Sequence, residues 1–148
     1  MTEMNKTWIL RKRPEGEVKE GDLELVEHPL EPLKEGEVRT RLIYLSLDPT
    51  NRIWMSDVDG YLPPVGIGDA MRGGGLAVVT ESRFDGLKEG DIVNTGLGQW
   101  SLYQVKPGAE VNKLPELPGV PLTAFMGPLG MTGMTAYFGL MDIGKPKA

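Results

Sequence analysis

Residues Glu37–Asp48 read EVRTRLIYLSLD, and the order of their side chains decides the fold. Val38 stands between charged residues, and the stretch finishes as the continuous apolar run Leu42-Ile43-Tyr44-Leu45. Alternation that gives way to an unbroken apolar run predicts a strand passing from a surface to a buried position. Asp48-Pro49 then reads as a turn or helix start, with aspartate before the first helical residue and proline pre-setting its dihedral.

The same pattern extends outward on both sides. KTWILRKR (Lys6–Arg13) suits a short first strand, and DLELVEHP places Leu23 and Leu25 among polar residues. GLAVVTESR (Gly75–Arg83) follows a triple glycine, Ile92 and Val93 form a further strand, and QWSLYQVKPG (Gln99–Gly108) ends in a Pro-Gly turn. The 20 glycines and 12 prolines are spread along the chain, so they punctuate short strands. Strands at about ten-residue spacing suggest a sandwich or small barrel.

From Pro121 the period changes. Leu122, Phe125 and Met126, then Met131, Met134, Tyr137, Phe138 and Met141, recur at helical spacing, and the two helices join at GPLG. Gly144 is placed as the closing cap, with Pro146 beyond it. The methionine and aromatic stripe reads as core packing in the first instance and as a cofactor-facing surface in the second. Residues 1–148 are expected to form one domain.

Composition narrows the function. The net charge of −5 argues against nucleic acid, whose phosphates select basic faces. No apolar run approaches the length of a membrane span and no signal-peptide pattern opens the chain, so a cytoplasmic location is expected. Cysteine is absent, and His28, between Glu27 and Pro29, is expected to be exposed in a turn. No Ser–His–Asp, Cys–His or metal constellation can be assembled from these residues, so no catalytic residue and no metal ligand are assigned.

At Tyr44–Met55 (YLSLDPTNRIWM), Met71–Ser82 (MRGGGLAVVTES) and Gly130–Leu140 (GMTGMTAYFGL) the chain resembles a known family. It is similar to the N-terminal, GroES-like domain of zinc-independent medium-chain dehydrogenase/reductases, in the branch of prostaglandin reductases and 2-alkenal double-bond reductases. The resemblance implies a mainly β, partly open GroES-like barrel with short helices at the C-terminal end. It also implies NADPH-dependent reduction of the C=C bond of an enone or enal, and a homo-oligomer in the full-length protein. Family members continue into a Rossmann domain whose glycine-rich turn has no counterpart here, so the chain is expected to be an N-terminal fragment, inactive and self-associating when alone. A stand-alone GroES-like binding or scaffold module is the alternative, and quinone reduction remains open within the same superfamily.

By resemblance, Pro49, Met131 and Thr135 face the nicotinamide end of NADPH, while Asn51, Arg52, Trp54 and Tyr61 are candidates for the substrate cleft. Each has a plainer reading beside it. Thr135 can bond back to its own helical turn, Met131 can pack in a core, and Arg52 can anchor a loop. Where family members carry Tyr-Met this chain has Thr50-Asn51, which sets an amide where they are more apolar. The glycines of Arg72–Gly75 read as a bulge or barrel corner in preference to a ligand approach.

Overall fold

The computed structural model describes residues 3–147. It divides into two compact units, Met1–Leu114 and Pro115–Ala148, each treated by itself below. The division falls in the proline-rich, largely exposed stretch that follows Leu114, with a strand-built unit before it and a helical one after it.

The first unit holds β1 (Met4–Leu10), β2 (Leu23–Pro29), β3 (Glu37–Leu45), α1 (Pro49–Trp54), β4 (Arg72–Gly73), β5 (Gly75–Ser82), β6 (Ile92–Asn94), β7 (Gly98–Gln99), β8 (Tyr103–Pro107) and β9 (Asn112–Lys113). One antiparallel five-stranded sheet runs in the order β8-β3-β5-β6-β9, with β1-β2 and β4-β7 as separate two-stranded ribbons. The sheets stay open and do not close into a barrel. β1 stitches the pieces together instead: Trp8 donates its N–H to the carbonyl of Trp100 and Met71 donates to that of Trp8, each at 2.8 Å.

Two apolar clusters hold this unit. Val38, Ala77, Val79, Leu87, Val93 and Val111 pack together under the large sheet, while Leu10, Trp54, Met55, Val65 and Met71 join α1 to β1 and the following loop. Burial of this kind is the main favourable contribution to folding.

β3 runs opposite to its expected polarity. Its buried part is the alternating start, with Val38 fully buried and Thr40 nearly so, whereas Ile43 and Tyr44 in the apolar run are exposed. The physical reason lies in the register. The β3–β5 pairing shifts between Leu42 and Tyr44, and Gly75 sits against the Tyr44 carbonyl and the Leu42 side chain. No Cβ fits there, so Gly75 marks the bulge that turns the end of β3 away from the core.

His28 also differs from expectation. It lies within β2, half-buried, and its Nε2 is 3.1 Å from Thr7 Oγ1. Thr7 in turn meets Ser101 Oγ at 2.6 Å, and Asn5 bonds both the N–H and the carbonyl of Tyr103 at 2.8 Å. The inward face of β1 is therefore polar at Asn5 and Thr7, a satisfied network that apolar periodicity does not detect.

In the second unit, Leu122–Met126 form a 3-10 turn and α2 spans Met131–Phe138, continuing as a wide π-type turn over Gly139–Gly144. The left-handed residue closing it is Lys145, at φ 46°, and not Gly144. Gly133 is required by close approach, because a Cβ there would collide with the Pro128 backbone. Neither helical segment buries a residue, so the stripe is not core within this unit. Met131, Tyr137 and Ile143 are exposed. Among the described residues, no helix is long and apolar enough to cross a membrane.

Candidate functional site

The site is built on α1. Pro49 opens the helix and is exposed, and Asn51 locks the entry: the Asp48 N–H donates to Asn51 Oδ1 at 2.6 Å. Asn51 Nδ2 donates to the Arg72 carbonyl at 3.1 Å, tying α1 to β4. At 5% exposure Asn51 is buried and both ends of its amide are occupied. An amide so engaged braces two elements of the fold.

Arg52 is engaged as fully. Nε and Nη2 donate to the Gly16 carbonyl at 3.0 and 2.8 Å, Nη2 also reaches the Pro14 carbonyl at 2.8 Å, and Nη1 donates to Ser56 Oγ at 2.6 Å. The geometry realises the loop-anchoring role, with the guanidinium fork holding the turn after β1 against α1.

Trp54 and Tyr61 divide the remaining work. Trp54 is 5% exposed and belongs to the core, so it supports the site from below. Tyr61 is 76% exposed, meets the Trp54 ring edge-on at 6.3 Å, and shares a 3.0 Å hydrogen bond with Thr50 Oγ1. It is an aromatic surface held in place by the helix and available to an apolar ligand. In the helical unit, Met131 is exposed and Thr135 Oγ1 donates to the Met131 carbonyl at 2.7 Å. The threonine is back-bonded to its own turn and keeps acceptor capacity for a further donor.

Sequence reasoning passed over Arg72, noting only the glycines beside it. Its guanidinium lies 5.2 Å over the Trp54 ring, and Nη1 donates to the Pro63 carbonyl at 2.9 Å. Arg72 also lines a cavity of about 380 Å³ with Val65, Asp69, Leu97 and Gln99. A lone cation beside a glycine run that removes side-chain bulk was the available signal. Gly73 indeed lies so close to the Trp100 indole that no Cβ fits. The edge of the cavity at Leu97 is fixed by Lys106, whose Nζ donates to the carbonyls of Thr95 and Leu97 at 2.7 and 2.8 Å. Burial holds the Lys106 ammonium below its usual range.

A strand body of open antiparallel sheets, with a short proline-led helix at one edge, defines a class. The chain belongs to the family described as the N-terminal domain of oxidoreductase, which matches residues 6–114. This agrees with its resemblance to the zinc-independent medium-chain dehydrogenase/reductases. Among individual proteins, it is 42% identical over 143 residues to the NADPH-dependent curcumin reductase of Escherichia coli (strain K12), covering 97% of this chain and 41% of that protein. It is 39% identical to prostaglandin reductase 1 of Mus musculus, covering 93% of this chain and 40% of that protein. The crystal structure of CurA from Vibrio vulnificus in complex with NADPH superposes with a TM-score of 0.85 at 36% identity, over 96% of this chain and 42% of that one. The chain thus spans about two fifths of the length of the relatives it matches.

Proposed function

We propose that the chain is the substrate-side domain of an NADPH-dependent reductase acting on the C=C bond of α,β-unsaturated carbonyl compounds. The observation that carries this reading is the 42% identity to NADPH-dependent curcumin reductase over 97% of the chain. Similarity to prostaglandin reductase 1 supports the same reaction class. NADPH, when bound, supplies the hydride, and the protein supplies orientation and shielding.

The roles of this chain's own residues follow from how each is held. Pro49 in the strand-built unit is an exposed apolar group, and Met131 in the helical unit is another; each by itself offers the soft apolar surface that a nicotinamide ring takes. The Thr135 hydroxyl, donating to its own turn, accepts from a carboxamide N–H. Tyr61, steadied by Thr50 and Trp54, forms an apolar wall for the substrate, while Asn51 and Arg52 hold the wall in position.

The test uses the full-length enzyme that contains this chain. NADPH consumption with curcumin or a 2-alkenal supports the reading, with Tyr61→Ala raising KM by about tenfold at nearly unchanged kcat, the mark of lost uniform binding. Consumption with a quinone alone assigns quinone reduction instead. No consumption with any of these acceptors overturns the reading and favours a binding module.

A further inference from the structure

We propose that Arg72 is a positioning residue for the aromatic wall at Tyr61: it clamps the loop that carries Tyr61 by bonding Pro63 and by lying over Trp54. The role given to Tyr61 rests on the reductase reading, and that of Arg72 on geometry. Three observations meet in this clamp.

The first is how little else holds the loop. Residues 55–64 leave the end of α1 and come back to it, with Val65 donating its N–H to the Trp54 carbonyl at 2.8 Å. A surface loop with close ends keeps its shape by its own side-chain contacts. Its first part is tied at Met55, whose carbonyl accepts from Arg13 Nη1 at 3.0 Å, and at Ser56 by Arg52. Beyond that, Val58 and Tyr61 are exposed, and Leu62 packs against the cluster of Leu10, Trp54 and Met71. Among the described residues, the bond between Tyr61 and Thr50 is the one hydrogen bond made by residues 58–62.

The second is that Arg72 meets both supports of Tyr61. Nη1 donates to the Pro63 carbonyl at 2.9 Å, at the far end of the loop, and the guanidinium lies 5.2 Å over the ring of Trp54. Trp54 in turn meets the Tyr61 ring edge-on at 6.3 Å. One planar group therefore fixes the return of the loop and the aromatic surface on which Tyr61 rests.

The third is a rigid base. The Arg72 backbone pairs with Gln99 in the β4–β7 ribbon, and its carbonyl accepts from Asn51 Nδ2 at 3.1 Å. Its neighbour Met71 donates to the Trp8 carbonyl at 2.8 Å. A side chain reaching out from a paired strand passes that fixed position to a loop that has no strand pairing of its own.

The experiment uses the full-length enzyme that contains this chain, with two readouts. Hydrogen–deuterium exchange followed by mass spectrometry reads the loop directly: Arg72→Met is expected to speed exchange across residues 56–62 several-fold and to leave β5 unchanged. Steady-state kinetics, with whichever of curcumin, a 2-alkenal or a quinone the enzyme reduces, reads the wall. Arg72→Met is expected to raise KM about threefold to fivefold at nearly unchanged kcat. In a Tyr61→Ala background the same substitution is expected to change KM by less than about twofold, because a residue that acts through Tyr61 then has nothing to position. Arg72→Lys, which keeps a cation for the ring and a donor for the carbonyl, takes the place of Arg72→Met if the methionine variant fails to fold. Unchanged loop exchange in a folded variant overturns the clamp. An unchanged KM, a fall in kcat alone, or effects of the Arg72 and Tyr61 substitutions that multiply, overturns its action through Tyr61. If the enzyme reduces none of these acceptors the reductase reading fails, and loop exchange still decides whether Arg72 holds the loop.

Discussion

The strand body and the helical end use the same residue types to opposite effect. In the body, Val38, Leu76, Val79 and Val93 are fully buried, and Val38 of β3 packs with Ala77 and Val79 of β5 in one core cluster. In the helical end, an equally regular apolar period over Met131–Phe138 buries no residue at all. Periodicity therefore reports which face a segment can bury. Whether that face is buried is decided by what packs on it, and the same methionines and aromatics serve as core in one setting and surface in another.

Substitutions that would break this contrast should have their largest effect in the body. Gly75→Val forces a side chain into the Tyr44 carbonyl and Leu42, and should cost about 3 kcal/mol or more by urea unfolding. Leu76→Ala empties a fully buried position and should cost about 3 kcal/mol by the same measurement. A loss below about 1 kcal/mol in either would mean that the body is more plastic than its packing indicates. Arg52→Ala removes four donated hydrogen bonds from the Pro14–Ser56 anchorage and should cost about 1–2 kcal/mol. Arg52→Lys should restore only part of it, since a single ammonium cannot reach the same acceptors.

Asp91 sharpens the picture by pH. Its hydrogen bond from Lys113 at 2.7 Å and that from the Lys88 N–H at 3.0 Å hold its carboxyl below the usual aspartate value. A depressed folded-state value means that the unfolded chain takes up the proton first. Its stabilisation is then complete above the ordinary carboxylate range and is lost as pH falls through the folded value. Asp91→Asn should flatten the acid limb of a melting-temperature profile and leave little pH dependence to be removed by Lys113→Met. An unchanged acid limb would show that Asp91 does not set it.

The smallest effect belongs to the helical end. Ile143→Ala, at an 83% exposed position, should change stability by less than about 0.5 kcal/mol. Ile143→Glu should nevertheless reduce binding of a hydrophobic dye by the whole chain, because the exposed apolar face is what the dye reads. If Ile143→Ala instead destabilises as much as Leu76→Ala, the two regions are not different in kind.

Several features were legible in the chain before any coordinates. The strands at Leu23–Pro29 and Gly75–Ser82 lie where alternation and glycine punctuation put them, and Asp48-Pro49 does start a helix. These are local properties, set by dihedral preference and by which neighbours along the chain are apolar. The polarity of β3, the strand position of His28 and the burial of Trp54 were not legible. Each depends on a partner distant in sequence: Gly75 for Tyr44, Thr7 for His28, and Met71 with Leu10 for Trp54.

The candidate site divides in the same way. The sequence by itself determined the oxidoreductase family and the helix-starting proline, because these follow from local order along the chain. Only the tertiary structure decided the use of each side chain. It set Asn51 and Arg52 as braces, left the Tyr61 ring exposed, and placed Arg72 over Trp54 with no ion pair among the described residues. The reason is physical. A polar side chain is free for a ligand only when no carbonyl or carboxylate elsewhere in the fold has already engaged it, and that accounting exists only after the chain has closed on itself.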